Sequence, residues 1–200
     1  MNSIVYLQKI KNRREFVFKV LKEFERKLKR AKRILLKPNI VSFEPYPTTT
    51  HPEVLSACLE LLLDLKKEIL VADGPAPDAG NSKKIIATHP LKKVCDKYQI
   101  PLIDLCSGPM EKIKTPSFEF KISALCFEFD FIISLPVLKS HGTTSMTGAL
   151  KNQFGLLSPK DRIILHTLPW KDIHKAIAEI NLLIRPNFWI VDAVKTLIST

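Results

Sequence analysis

Two hundred residues, 46% of them hydrophobic, suffice for one domain with a sizeable core, and a single α/β domain over residues 1–200 is the expectation. No apolar run approaches the ~20 residues of a membrane-spanning helix and the amino terminus has no charged-then-apolar signal pattern, so the cytoplasm is the expected compartment. The formal net charge of +11 is lopsided: residues 1–37 hold 13 Lys/Arg against 3 Asp/Glu, a net of +10, which leaves +1 for the rest.

That excess lies in a predicted basic amphipathic helix over about residues 13–32, with Phe16, Val20, Leu21, Phe24 and Leu28 on its apolar face. Such a helix suits a nucleic acid or an anionic membrane. The expected role is structural, the apolar face covering a sheet while the charges are solvated. Arg33 to Lys37 then reads as a strand ending in Pro38-Asn39. A proline-rich loop leads to Thr50 and Glu53, spaced as a capping box with Pro52 in the first turn, and a helix runs on to about Lys66. Glu68 to Ala72 is a second buried strand, stopped by Asp73-Gly74-Pro75. A helix over residues 82–98, broken near Pro90, precedes a third strand at residues 101–105. Residues 112–114 and 118–122 form a predicted hairpin.

The densest polar chemistry follows the apolar strand at residues 131–135. Lys139, Ser140, His141, Thr143, Thr144, Ser145 and Thr147 crowd one short span. The spacing of Met146, Leu150 and Phe154 predicts a helix over residues 144–154, with Gly155 just past its end. Thr144, Thr147, Gly148, Lys151 and Asn152 would share its opposite face, and Lys139 and His141 would precede its N-terminus. Cations, hydroxyls and free N–H groups converging there would suit a phosphate or carboxylate; the plainer reading makes Thr144 a helix cap and the lysines solvated surface. Residues 171–184 are a further predicted helix and 188–192 a final strand.

Continuous apolar strands alternating with helices predict an α/β fold: a mainly parallel sheet covered by helices on both faces, Rossmann-like and three-layered, with a small β-hairpin insertion. Ligands of such folds bind beyond the carboxyl ends of the strands. The strand ends carry Lys37 and Asn39, Asp73, Lys139 and His141, and Asp192. Lys37, Lys139 and Lys151 are the candidates to neutralise an anion, with Asn39, Thr50, Thr144 and Asn152 to orient it. His141 and His166, with Lys151, are the candidate catalytic groups, because imidazole titrates near neutrality. Asp73 and Asp192 suit orientation of a histidine, a cation or a ribose hydroxyl, or simply a turn at a strand end. No carboxylate lies three or four residues from Lys151, so its partner is either Asp73 or Asp192 across the fold or a bound anion.

Cys58, Cys95, Cys106 and Cys126 are too scattered for a zinc or iron–sulfur site, and free buried thiols are expected. No metal site, Walker loop or G-x-G-x-x-G is indicated. The expected partner is a small anionic ligand, with nucleic acid the weaker alternative.

The sequence also resembles the family called domain of unknown function 362. The resemblance rests on Lys37-Pro38-Asn39, residues 49–53, residues 71–75, Leu135 to His141, residues 147–156, His166 and residues 185–192. It implies no settled activity. Many relatives carry a ferredoxin-type iron–sulfur module, which implies a redox link and a ferredoxin-like partner, but this chain lacks that module's cysteine pattern. The family usually continues past the last strand with a glycine-rich segment and another α/β portion. The resemblance therefore implies a short relative or the N-terminal part of a longer domain, with a C-terminal part as a further candidate partner. An anion-binding enzyme and a non-catalytic binding module both stay open.

Overall fold

The computed structural model describes residues 4–167 and 170–198. Residues 4–12 form no helix or strand, and Asn12 then caps α1 (Arg13–Glu23), its side chain accepting from the Glu15 N–H. At Phe24 the basic helix breaks, and α2 (Glu25–Arg30) continues it. Val17, Leu21 and Leu28 are buried against the sheet residues Ile34 and Leu36. The apolar face covers the sheet as the pattern predicts, and Arg14 pairs with Glu60 at the surface, whereas Arg13 is drawn into a largely buried pair with Asp192.

The order that follows is β1 (Arg33–Pro38), α3 (Pro52–Asp64), β2 (Glu68–Asp73), α4 (Ser82–Thr88), α5 (Pro90–Lys97), β3 (Leu102–Asp104), β4 (Met110–Lys114), β5 (Glu119–Ser123) and β6 (Phe131–Leu135). Next come β7 (Val137–His141), β8 (Ser145–Thr147), a 3-10 helix (Lys151–Leu156), α6 (Pro159–Thr167), α7 (Trp170–Ile184), β9 (Phe188–Trp189) and β10 (Asp192–Leu197). The predicted elements up to β6 are present to within a few residues. Proline ends one helix and starts the next at Pro90, because its N–H is missing where a first turn needs none.

Five parallel strands form one sheet in the order β3-β2-β1-β6-β9. Alternation divides β1 between two cores. Ile34 and Leu36 face α1 to α5, whereas Leu35 packs with Phe120, Leu156, Leu165, Ile173 and Ile177 on the opposite face. The layers are helix, sheet and helix, with β4–β5 as an antiparallel hairpin. The direction of winding reverses between β1 and β6, which makes the crevice at their carboxyl ends the expected ligand position.

The predicted helix over residues 144–154 is absent. In its place β7 and β8 pair antiparallel, with Lys139 opposite Thr147 and His141 opposite Ser145, and only residues 151–156 wind into the 3-10 turn. Clustered β-branched threonines favour extended pairing. The supposed core stripe fails as well, because Met146 is 60% and Leu150 53% exposed. The final strand is also two pieces. Pro136 cannot donate to a ladder, and there the pairing of β6 with β9 passes to β7 with β10, which join β8 in a three-stranded sheet.

The predicted capping box at Thr50 and Glu53 is not formed. His51 is the cap, its Nδ1 accepting from the Glu53 N–H. Thr50 is buried and stitches two strand ends together: its Oγ1 accepts from the Asn39 N–H at 2.7 Å and donates to the Leu135 carbonyl at 2.5 Å. Replacing Thr50 by Val keeps the shape and leaves both backbone groups without a partner. A loss of about 2 kcal/mol in urea unfolding is expected, against near neutrality for Thr50→Ser.

Candidate functional site

At the crevice between β1 and β6 lies a cleft of about 630 Å³. Its base is Lys37, a lysine at a strand position of β1 that faces the second core and is fully buried. Its ammonium donates to Asp73 Oδ1 at 2.6 Å from the end of β2, and Asp73 Oδ2 accepts from the Ile40 N–H at 2.6 Å. Both charges are out of water, and the pair locks the loop after β1 to the neighbouring strand.

The 3-10 turn presses onto this pair. A Cβ on Gly155 would meet both Asp73 Oδ1 and Lys37 Nζ, and one on Gly74 would meet the Gly155 carbonyl. Only glycine fits at either position. Asn152 Nδ2 donates to Ser134 Oγ at 2.9 Å and lies 3.3 Å from the Pro38 carbonyl, and Gln153 Nε2 donates to the same Ser134 Oγ at 3.0 Å. The turn is thereby fixed to the ends of β1 and β6.

Above this base stand two more lysines. Lys139 of β7 donates to Asn39 Oδ1 and to the Thr48 carbonyl, each at 2.7 Å, which leaves its third N–H uncommitted. Burial lowers its amine to about 8, with Asp73 and Glu44 opposing. Lys151 makes no ion pair among the described residues; its Nζ stands 5.3 Å from the Phe154 ring centroid. Burial first, then the positive charges of Lys139 and Arg162, bring it to about 8 as well. Neither carboxylate expected to neutralise Lys151 does so, for Asp73 is held by Lys37 and Asp192 by Arg13.

His141 and His166 complete the wall, their ring centroids 5.8 Å apart. Burial, then Lys151, His166 and Lys139, lower His141 to about 4, and His166 is lowered chiefly by burial. Both rings are therefore neutral near pH 7, and their tautomers follow from the backbone. The Thr143 N–H donates to His141 Nδ1 at 3.1 Å, so the ring proton sits on Nε2. His166 Nδ1 lies 2.7 Å from the Arg162 carbonyl, which can only accept, so there Nδ1 holds the proton and Nε2 carries a lone pair. One ring offers a donor and the other an acceptor.

Of the eleven candidate residues, Lys37, Asn39, Asp73, Lys139, His141, Lys151, Asn152 and His166 line this one cleft. Thr50, Thr144 and Asp192 do not. Thr50 lies behind it, Thr144 Oγ1 donates within its own hairpin to the Met146 carbonyl, and Asp192 accepts from Arg13 Nε at 2.6 Å beside the Tyr46 hydroxyl. Sequence reasoning missed Arg162. It reaches from α6 to the Gly74 and Pro75 carbonyls at 2.9 and 2.7 Å and to Cys106 Sγ at 2.9 Å. Ser158 followed by Pro159 and Asp161 is a helix-start signal that would have placed it, and Ser158 Oγ does accept from the Asp161 N–H. Among the described residues no group of His, Cys, Asp or Glu is arranged to hold a metal, and the four cysteines are free thiols.

The family model described as domain of unknown function (DUF362) matches residues 34–200. The chain belongs to that family. A relative, the thylakoid-associated protein sll1697 of Synechocystis sp., is 26% identical over 167 residues, covering 81% of this chain and 51% of that protein. Among solved structures, the lactate racemase apoprotein of Thermoanaerobacterium thermosaccharolyticum superposes with a TM-score of 0.64 at 16% identity, covering 90% of this chain and 49% of that one. That likeness shows a shared α/β fold. The chain spans about half the length of each. Among the described residues no helix is long and apolar enough to cross a membrane.

Proposed function

We propose that the cleft binds a small molecule bearing a phosphate or a carboxylate, held between Lys139 and Lys151. The supporting observation is an imbalance of charge. Lys37, Lys139, Lys151 and Arg162 line the cleft against only Asp73 and Asp78, and Lys37 with Asp73 already form a closed pair. Lysines desolvated beside one another, with fewer carboxylates than cations, lose free energy that an anion restores. The structural neighbour is by name a lactate racemase, and a small carboxylate lies within the proposed class. The donor of His141 and the acceptor of His166 equip the same site for proton transfer. This reading makes the protein an enzyme or a ligand-binding domain of the same architecture, and gives the basic N-terminal helix no part in it.

Calorimetric titration with inorganic phosphate and with lactate tests the proposal. Lys151→Met is expected to weaken binding at least about tenfold, or about 1.4 kcal/mol, with folding stability within about 1 kcal/mol of wild type. Failure of wild type to hold either anion would sink the reading. Unfolding of the variant would make Lys151 a structural residue and move the site to Lys139 and His141.

Affinity should also depend on pH in a defined direction. For lactate, ionised throughout, affinity is flat from neutrality up to about 8, where both amines are already charged. Above it each must take up a proton to meet the anion, and affinity falls by up to about tenfold per pH unit per lysine. A profile that instead rises through this range would contradict the assignment of either lysine.

A further inference from the structure

Resting on that anion-binding reading, we propose that Lys151 is a carbonyl-condensing amine: its Nζ adds to the aldehyde or ketone carbon of a small oxo acid whose carboxylate is held by Lys139. The lining of the cleft, the absence of a carboxylate partner and the neighbouring rings carry this. Lys151 lines the cleft but meets no carboxylate among the described residues, so no ion pair ties its nitrogen down. Its nearest recorded partner is the face of Phe154, and two further cations, Lys139 and Arg162, act on it. The same cleft is lined by a Brønsted pair, His166 with a free Nε2 and His141 with an Nε2–H, whose rings lie 5.8 Å apart. The ring face of Phe154 favours the ammonium, but burial and the neighbouring positive charges outweigh it, and the amine is brought to about 8. Desolvation beside a second cation is a general means of freeing a lysine lone pair for attack on a carbonyl.

The step balances without an oxidant or a metal. The Nζ lone pair forms the C–N bond while the carbonyl π pair moves to oxygen, where the His141 Nε2–H donates a hydrogen bond. His166 Nε2 takes one proton from the adduct nitrogen and passes it to that oxygen, giving a carbinolamine. A second proton, from solvent, lets the hydroxyl leave as water while the nitrogen lone pair closes the C=N bond. Amine, carbonyl and one proton become an iminium and water.

The test uses the full chain with glyoxylate or pyruvate and cyanoborohydride, which reduces an iminium to a stable secondary amine, followed by peptide mapping. The expected result is an adduct on Lys151 formed at least about tenfold faster than on any exposed lysine near neutral pH, because its neutral fraction is larger. Inorganic phosphate should suppress it, and Lys151→Arg should lose it while its circular dichroism shows a folded protein. An adduct spread evenly over exposed lysines, or an unmodified Lys151 in protein that binds pyruvate, overturns the condensing role and leaves the anion site standing. Failure of wild type to bind phosphate or pyruvate overturns both.

Discussion

Asp73→Ala should cost about 3–5 kcal/mol, the largest loss expected from a single side-chain truncation in this protein. The carboxylate meets two donors that have no route to water, the Lys37 ammonium at 2.6 Å and the Ile40 N–H at 2.6 Å. Removing it strands a buried charge and a buried backbone donor together, and an uncompensated buried charge is the expensive part. Whether the intact pair is better than an apolar pair is a separate question. A Lys37→Met/Asp73→Leu double variant should recover most of the loss, because the desolvation of both ions disappears with them. Urea unfolding of the two singles and the double closes the cycle. A double variant no more stable than Asp73→Ala would show that the Ile40 N–H, and not the ammonium, dominates. The pair sits under the cleft, so the singles should also loosen the loop after β1 and weaken phosphate binding, whereas exposed pairs such as Lys112 with Glu119 should do neither.

The buried parallel strands were legible because their signal is one-dimensional: three or four consecutive apolar residues close to turn residues, as at residues 69–72 and 131–133. Most of the cleft was legible for a related reason. Polar residues such as Lys37 and Asp73, placed directly after apolar runs, must lie at strand ends, where a parallel sheet gathers its ligand groups. The errors fall where partners distant in sequence override a local pattern. Met146, Leu150 and Phe154 have helical spacing, yet Lys139 and His141 offer residues 145–147 a strand edge to pair with, and the chain takes it. Thr50 has the residue type and spacing of a cap, yet the Asn39 N–H and the Leu135 carbonyl, 11 and 85 residues away in sequence, claim its hydroxyl. Asp192 looked like a site residue because it ends an apolar run. Arg13, 179 residues before it, neutralises it beside the start of β7, outside the lining of the cleft. No pattern read along the chain exposes such partners.

Gly155→Ala is expected to be nearly as damaging as Asp73→Ala, for a reason unrelated to glycine's backbone freedom. Gly155 is not among the residues of positive φ, so alanine suits its backbone and in open space would be tolerated. The obstacle is what the new methyl meets. It would occupy the space of the Asp73 carboxylate and the Lys37 ammonium, and neither can yield. Asp73 is fixed by the Ile40 N–H, and Lys37 is fully buried with nowhere else to place its charge. The 3-10 turn must therefore lift, which pulls Asn152 and Gln153 off Ser134 and carries Lys151 out of the cleft. Overpacking against groups that cannot move costs about 3 kcal/mol. Two readouts separate this from a general loss of stability. Phosphate affinity should fall in Gly155→Ala even at temperatures where the variant is fully folded, because Lys151 is displaced. Adding Lys37→Met and Asp73→Ala should relieve part of the cost, because the smaller apolar pair leaves room for the methyl and carries no charge to strand. A Gly155→Ala protein with wild-type stability and affinity would mean that the turn does not rest on the Lys37–Asp73 pair, and the site as built here would then lose its floor.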